Sequence, residues 1–184
     1  MKEILHRLPM RFKFALVLVL PLIALGWFAA SGAIARQAVV NELSRMQALT
    51  ALAQQAGGWV HQVQRERGMT AGFLGSQGKV FGDRLRQQRS DTDAAAEAFF
   101  QQRDQLDATL LTSTISSQLA AVEQQWQQNQ SLRDQVDLLS VATPEALGHY
   151  TGLNSLLMVL VGELAHLTGE GAITRQLAAY YNLL

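Results

Sequence analysis

The sequence predicts an all-α protein with an N-terminal transmembrane helix followed by an antiparallel helical bundle. The 184 residues include only 3 prolines, and many alanines, leucines and glutamines favour helix over strand. An uncharged stretch lies near the start, and beyond it apolar residues recur at intervals of three and four, as in packed helices. We expect a cytoplasmic basic N-terminus over residues 1–13, a transmembrane helix over 14–35 and an extracytoplasmic bundle over 36–184.

The composition argues against several classes of function. The 15 basic residues balance the 15 acidic ones, so no nucleic-acid partner is predicted. The absence of cysteine excludes disulfides, thiolate nucleophiles and Cys-type zinc sites. Glu163 and His166 have the Glu-x-x-His spacing of di-iron bundles, but no second such pair occurs. With no nucleotide-binding or hydrolase motif either, we predict no enzyme, no cofactor and no metal.

The transmembrane prediction depends on residues 14–35, which contain no charge. At 1.5 Å per residue this helix would span roughly 33 Å, enough for a bilayer core. Basic residues dominate the segment before it, so the N-terminus should stay in the cytoplasm. The alternative is a cleaved signal peptide, because Ala33-Ile34-Ala35 has the small-x-small form of a cleavage site. Signal peptides have shorter apolar regions, and this favours an uncleaved anchor.

From Arg36 the sequence becomes amphipathic with no turn signal, so the membrane helix should continue into a soluble one. Residues that alternate three and four positions apart lie on one face of a helix, and we call the face that packs against a neighbouring helix the seam. Its predicted members are Met46, Leu49, Ala53, Ala56, Val60, Val63, Arg67, Thr70 and Leu74. Arg67 and Thr70 are its polar members. A guanidinium in an apolar seam needs a partner, since an unpaired buried charge is costly. That partner is either a carboxylate of the protein or an anion from outside it.

A second helix is predicted from about Val80 to Leu110, with Gln77-Gly78 as the turn of an antiparallel hairpin. Residues equidistant from that turn should face one another, so Arg67 should meet Gln88 and Val63 should meet Thr92. The predicted interface therefore contains a polar layer among apolar residues. Its members are Arg67, Thr70, Gln88 and, at its edge, Thr92.

Three more helices are predicted. The third follows a break with capping residues at Thr112-Ser113-Thr114. The fourth begins at Thr143-Pro144-Glu145, which combines an N-cap, a proline at the first position and an acidic residue in the first turn. A turn is expected at Gly169-Glu170-Gly171, and a fifth helix near Ala172. Because the pattern stops inside that helix, we expect the domain to be incomplete at its C-terminus.

Arg67 and Thr70, one turn apart, are the candidate anion-binding residues. They offer a forked cation and a hydroxyl, which suit a small planar oxyanion. Gln88 completes the polar layer. Arg86 and Arg89 flank it and could add positive field, or they could belong to a solvated face of the helix. The alternative is an internal ion pair of Arg67. Its candidate partners are Glu66, Asp91, Asp93 or a carboxylate of a second subunit.

The run Val60–Ser76 contains Glu66-Arg67-Gly68 and Gly75-Ser76, and is followed by Gln88-Arg89, Thr92-Asp93 and Tyr150-Thr151-Gly152-Leu153-Asn154. Over roughly residues 50–184 the sequence resembles the NIT domain, the nitrate- and nitrite-sensing module of bacterial signalling proteins. The resemblance implies a helical bundle that binds nitrate or nitrite through arginines. It implies a place outside the membrane in chemoreceptors, sensor kinases and cyclic-dinucleotide enzymes, although some members are soluble antiterminators.

Arg67 matches the arginine of the family's Glu-Arg-Gly motif. Family members usually continue past Leu184 with another helix that carries a Lys-Glu…Glu-Arg segment, so a second anion-binding arginine could be missing here. We therefore expect the sensory part of a membrane receptor, homodimeric, anchored by a single pass in the bacterial inner membrane, with a periplasmic sensory domain. An anion bridging Arg67 to neighbouring helices would favour one packing of the bundle. The alternatives are a structural dimerisation or partner-docking bundle, or a sensor of another small ligand such as an amino acid or purine.

Overall fold

The structure, a computed structural model, describes the backbone of residues 9–181 and the side chains of 9–10, 18–19, 21–107 and 109–169. Within these residues the secondary structure is helical and no strand occurs, so the all-α prediction is confirmed. The helices are α1 (Met10–Gly75), α2 (Gly82–Asp104), a short 3-10 helix (Ala108–Leu110), α3 (Ser113–Gln127), α4 (Asn129–Asp137) and α5 (Thr143–Tyr181).

The chain divides into two compact units, Met1–Ser44 and Arg45–Leu184. In the first unit those large apolar side chains of α1 that the structure describes are exposed, with Trp27 78% and Phe28 77% accessible. Among the described residues, α1 from Pro21 onward and α5 from Thr143 to Gly169 are long and apolar enough to cross a membrane. A buried core helix meets the same criteria, and α5 contributes to the core. The membrane helix over 14–35 therefore stays a prediction.

The second unit has a core to which every α-helix contributes. Trp59 of α1 lies at the centre of an aromatic cluster, with ring centroids 5.3 Å from Phe99, 5.5 Å from Phe100 and 5.0 Å from Trp126. Helix α5 places one residue per turn in this core, as its leucine spacing predicts. These residues are Tyr150, Leu153, Leu157, Leu160 and Leu164, each 0% exposed.

The predicted hairpin between α1 and α2 is present. Gln77 (φ 52°) and Gly78 (φ 77°) adopt left-handed conformations, and the Gly78 amide donates to the carbonyl of Phe73 at 2.8 Å. Such a pattern ends a helix by satisfying its last carbonyls. Phe81 (φ 70°) then precedes α2, and its ring covers Gly72, where an added Cβ would lie 2.6 Å from it.

Some predicted boundaries are wrong. Helix α2 ends at Asp104 rather than near Leu110, and the third predicted helix is divided at Gln128 into α3 and α4. No turn occurs at Gly169-Glu170-Gly171, because α5 continues as one helix to Tyr181. A glycine costs a helix only about 1 kcal/mol relative to alanine, which is a weak signal for a break. The cap at Thr112 is confirmed, since its hydroxyl accepts from the Ile115 amide at 3.2 Å.

Candidate functional site

A buried ionic network joins α1, α2, α4 and α5. Glu66 of α1 is 0% exposed, and its carboxylate accepts from Arg133 Nε at 2.8 Å and Nη2 at 2.9 Å. Arg133 Nη1 also donates to Asp93 of α2 at 2.7 Å. The hydroxyl of Tyr150 in α5 donates to Glu66 Oε1 at 2.9 Å. The fork-to-fork geometry between Arg133 and Glu66 is the strong form of such a pair.

The network shifts the pKa values of Arg133 and Tyr150. Burial alone would lower the pKa of Arg133, but the hydrogen bonds and charges of Glu66 and Asp93 outweigh it and raise that pKa above its usual range. Burial, together with the charge of Glu66, raises the pKa of Tyr150 well above its usual value. Tyr150 therefore remains a hydrogen-bond donor at physiological pH, and Arg133 remains a cation.

The prediction that Arg67 occupies the buried seam is wrong, because Glu66 takes that place and Arg67 is exposed. The remainder of the predicted polar layer is buried, with Thr70 and Thr92 0% exposed and Gln88 2% exposed. Gln88 does not face Arg67. Its Nε2 donates to Gln62 Oε1 at 2.8 Å and is 3.3 Å from the Gln62 carbonyl oxygen.

Arg67 lines a groove between α1 and α5 with a volume of about 490 Å³. We call this the Arg67 groove. Among the described residues Arg67 forms no ion pair and no hydrogen bond, whereas the neighbouring Arg65 donates to Gln62 at 3.4 Å. The remaining lining residues are polar apart from one methionine: Gln64, Thr151, Asn154, Ser155 and Met158.

The hydrogen-bond donors of the Arg67 groove can be assigned from its contacts. The hydroxyls of Thr151 and Ser155 already donate within α5, to the carbonyls of Leu147 at 2.7 Å and Thr151 at 2.9 Å. The guanidinium of Arg67 and the side-chain amide nitrogens of Gln64 and Asn154 are therefore the donors that line the groove. The Asn154 Oδ1 is buried without a partner and, as an acceptor, does not bind an anion.

The structure brings only one of the predicted anion-binding residues to this groove. Arg89 instead makes a two-point pair with Asp137 of α4, at 2.8 and 2.9 Å. Thr70 and Gln88 lie in the core, 0% and 2% exposed. The arrangement therefore separates Arg67 from Thr70, Gln88 and Arg89, whose ligand roles stay predictions.

Sequence reasoning missed Arg133, which is the central cation of the buried network. A signal was present, because Arg133 lies four residues after Asn129 and three before Val136, both on the inward face of the helix. Asn129 is 2% exposed, and its amide oxygen, when turned toward the guanidinium, accepts from Arg133 Nε at 3.1 Å. A charged residue at an inward position predicts a buried partner, and this holds for Arg133.

A second cavity, of about 640 Å³, has Arg133 in its lining. Its walls carry the carboxylates of Asp93, Glu97 and Asp104 and the ring of Trp126. All three carboxylates have partners, since Asp93 binds Arg133, Asp104 binds Arg103 at 2.8 Å, and Glu97 accepts from Gln101 Nε2 at 3.0 Å. Among the described residues no group of three or more His, Asp or Glu side chains could hold a metal ion.

Comparison with known proteins adds two findings. A family profile described as nitrate and nitrite sensing, NIT, matches residues 59–184. A solved structure described as that of the NasR transcription antiterminator is similar, with a TM-score of 0.64 and 25% sequence identity. The similarity covers 77% of this chain and 37% of that one, so the chain spans little more than a third of its neighbour. No curated protein matches the chain.

Proposed function

We propose a sensory function for this chain, which belongs to the NIT family of nitrate and nitrite sensing domains. The chain binds nitrate or nitrite in the Arg67 groove and acts as the ligand-binding part of a signalling protein. The observation that carries the proposal is the state of Arg67, an arginine that lines a polar groove and has no anionic partner among the described residues.

The carboxylates that could have neutralised Arg67 have other partners. Glu66 and Asp93 both bind Arg133. Asp91 accepts from Gln87 Nε2 at 3.0 Å. Arg67 is therefore left as a positive charge at a groove wall, where a guanidinium can donate two parallel hydrogen bonds to a planar oxyanion.

The size and chemistry of the groove support a small anion bound with water or beside a second protein copy. The volume of about 490 Å³ exceeds the space that one nitrate ion requires. Arg67 supplies the charge, and the amides of Gln64 and Asn154 can hydrogen-bond the remaining oxygens. Homodimerisation would enclose the site, and it is supported by exposed apolar side chains next to the groove, Met158 and Val159, each 57% accessible.

We further propose that the protein is anchored in the bacterial inner membrane, with its N-terminus in the cytoplasm and its sensory domain in the periplasm. Helix α1 carries both the exposed apolar segment and Arg67. An anion that bridges α1 to α5 would favour one packing of these helices over another, and α1 would carry the change toward the membrane. The NasR neighbour is described as a transcription antiterminator, so similar folds also occur outside receptors.

The test is a thermal melt of the full chain in a mild detergent, with millimolar nitrate, nitrite or chloride. A ligand that binds the native state stabilises it by RT ln(1 + [L]/Kd). Stabilisation by nitrate or nitrite but not chloride, lost in Arg67→Ala, is the expected result. Equal stabilisation of Arg67→Ala would contradict the assignment of the site.

Two other results would favour the alternative functions. Stabilisation by an amino acid or a purine, and not by the oxyanions, would indicate a sensor of another ligand. A cooperative melt that no small ligand shifts would indicate a structural bundle that dimerises or docks a partner.

A further inference from the structure

The two walls of the Arg67 groove are joined by a hydrogen bond just behind it. Glu66 precedes Arg67 in α1, and Tyr150 precedes Thr151 in α5. The Tyr150 hydroxyl donates to Glu66 Oε1 at 2.9 Å, and both residues are 0% exposed. This hydrogen bond therefore links α1, which carries Arg67, to α5, which carries Thr151, Asn154 and Ser155.

We infer that Tyr150 is a positioning residue for the ligand of the Arg67 groove, acting through its hydrogen bond to Glu66. The inference rests on the proposed function and deepens it. Tyr150 does not line the groove. It sets the separation between Arg67 on one wall and the amide of Asn154 on the other, so that both can reach one small anion.

Three properties make this contact suited to fixing a distance. The donor and acceptor lie in the core, where water cannot replace either partner. Both carboxylate oxygens of Glu66 accept from Arg133, one from Nε and one from Nη2, and these two bonds restrict rotation of the acceptor. The acceptor is a carboxylate, and a hydrogen bond to a charged acceptor is stronger than one between two neutral groups. A small anion needs such precision because it contacts few groups, and an error of about 1 Å at any of them is costly.

The same contact could connect ligand binding to the remainder of the bundle. An anion that draws α5 toward Arg67 would move Tyr150 against Glu66, and Glu66 is bound to Arg133 of α4. Arg133 is bound in turn to Asp93 of α2. A change in the width of the groove would therefore reach α2 and α4 through side chains that have no contact with the ligand.

The test compares Tyr150→Phe with Thr112→Val in the full chain in detergent, by calorimetric titration with nitrate well below the melting temperature. Each substitution removes one hydroxyl and its hydrogen bond while nearly preserving side-chain volume. Thr112 caps α3 and does not line the groove. We expect both variants to melt at a lower temperature, and only Tyr150→Phe to bind nitrate about tenfold more weakly.

The possible outcomes separate this inference from the proposed function. If the wild-type chain does not bind nitrate, both are overturned. If the wild-type chain binds and Tyr150→Phe binds equally well, or if Thr112→Val loses affinity to the same degree, the positioning role is overturned while the nitrate site stands.

A second measurement keeps the inference testable if Tyr150→Phe does not fold. Tyrosine can be replaced throughout the chain by 3-fluorotyrosine, and the resonances assigned with Tyr180→Phe and Tyr181→Phe. Saturating nitrate, but not chloride, should shift the fluorine resonance of Tyr150. An unchanged resonance at saturation would overturn the positioning role.

Discussion

Two arginines of this bundle, Arg67 and Arg133, have the same side chain but differ in exposure and in ion pairing. Arg133 is 5% exposed at its side chain and has two carboxylate partners from its own chain. Arg67 is exposed at a groove and has none among the described residues. Glu66, the residue next to Arg67, binds Arg133 instead. A folded chain that uses its carboxylates to neutralise one arginine leaves the other available to an anion from outside.

The substitution Arg133→Met is the strongest test of this difference between Arg133 and Arg67. We expect the free energy of unfolding to fall by about 3–5 kcal/mol, because Glu66 would be left as an uncompensated charge in the core. Chemical denaturation measures this loss. The double variant Glu66→Gln with Arg133→Met should recover part of it, and a double variant less stable than Arg133→Met would contradict the role assigned to the pair.

The matched substitution at the groove is Arg67→Ala. Because this side chain is exposed and unpaired, the free energy of unfolding should change by no more than about 0.5 kcal/mol. Nitrate affinity should fall by about 1.5–3 kcal/mol, which is roughly tenfold to a hundredfold in Kd. Denaturation and calorimetric titration together measure both effects. A large loss of stability would mean that Arg67 has a structural role after all.

Arg89 lies between these extremes, since its side chain is 11% exposed and its partner Asp137 is 55% exposed. Asp137→Asn should cost about 1 kcal/mol or less, because solvent screens the pair. The cost should shrink as salt is raised. Asp83→Asn is the control, since the Asp83–Arg86 pair is exposed on both sides and its loss should not be measurable. Equal effects of the two substitutions would show that partial burial of Arg89 contributes nothing.

The smallest expected effect is a pH dependence at His149, which lies next to Tyr150. Burial lowers its pKa below the ordinary value of 6.5, and the charge of Glu66 opposes that shift in part. A lowered pKa means that the unfolded chain takes up the proton first as the pH falls. Stability contributed by neutral His149 is therefore fully present above about pH 6.5 and is lost below it. Melting temperatures between pH 7.5 and pH 5 should fall more steeply for the wild type than for His149→Gln.

The sequence predicted the hairpin because its signals are local. Gln77-Gly78 lies between two amphipathic patterns, and a turn there also predicts which residues of α1 and α2 share a level. Thr70, Gln88 and Thr92 are buried as expected. The capped start of α3 was predictable for the same reason, since Thr112 and the Ile115 amide are three residues apart.

The prediction for Arg67 was wrong by one residue, for a reason that spacing cannot resolve. After Val63 a seam can continue by three residues to Glu66 or by four to Arg67, and both steps return to Thr70. Both residues are charged, so hydropathy does not distinguish them. Arg133 determines that Glu66 and not Arg67 is buried, because it is the partner that compensates the buried charge of Glu66. That partner lies far along the chain, and local patterns do not reveal it.

The turn between α1 and α2 determines which substitutions the sequence can accept at that end of the bundle. Gln77 and Phe81 both hold left-handed backbone conformations that cost a side-chain-bearing residue about 1–2 kcal/mol. Replacing Gln77 by glycine or asparagine would relieve this cost. Replacing Gly72 by alanine would add a methyl group that displaces the Phe81 ring. Natural variation should therefore favour glycine and asparagine at Gln77 and be narrow at Gly72, although the two positions lie close together in the chain.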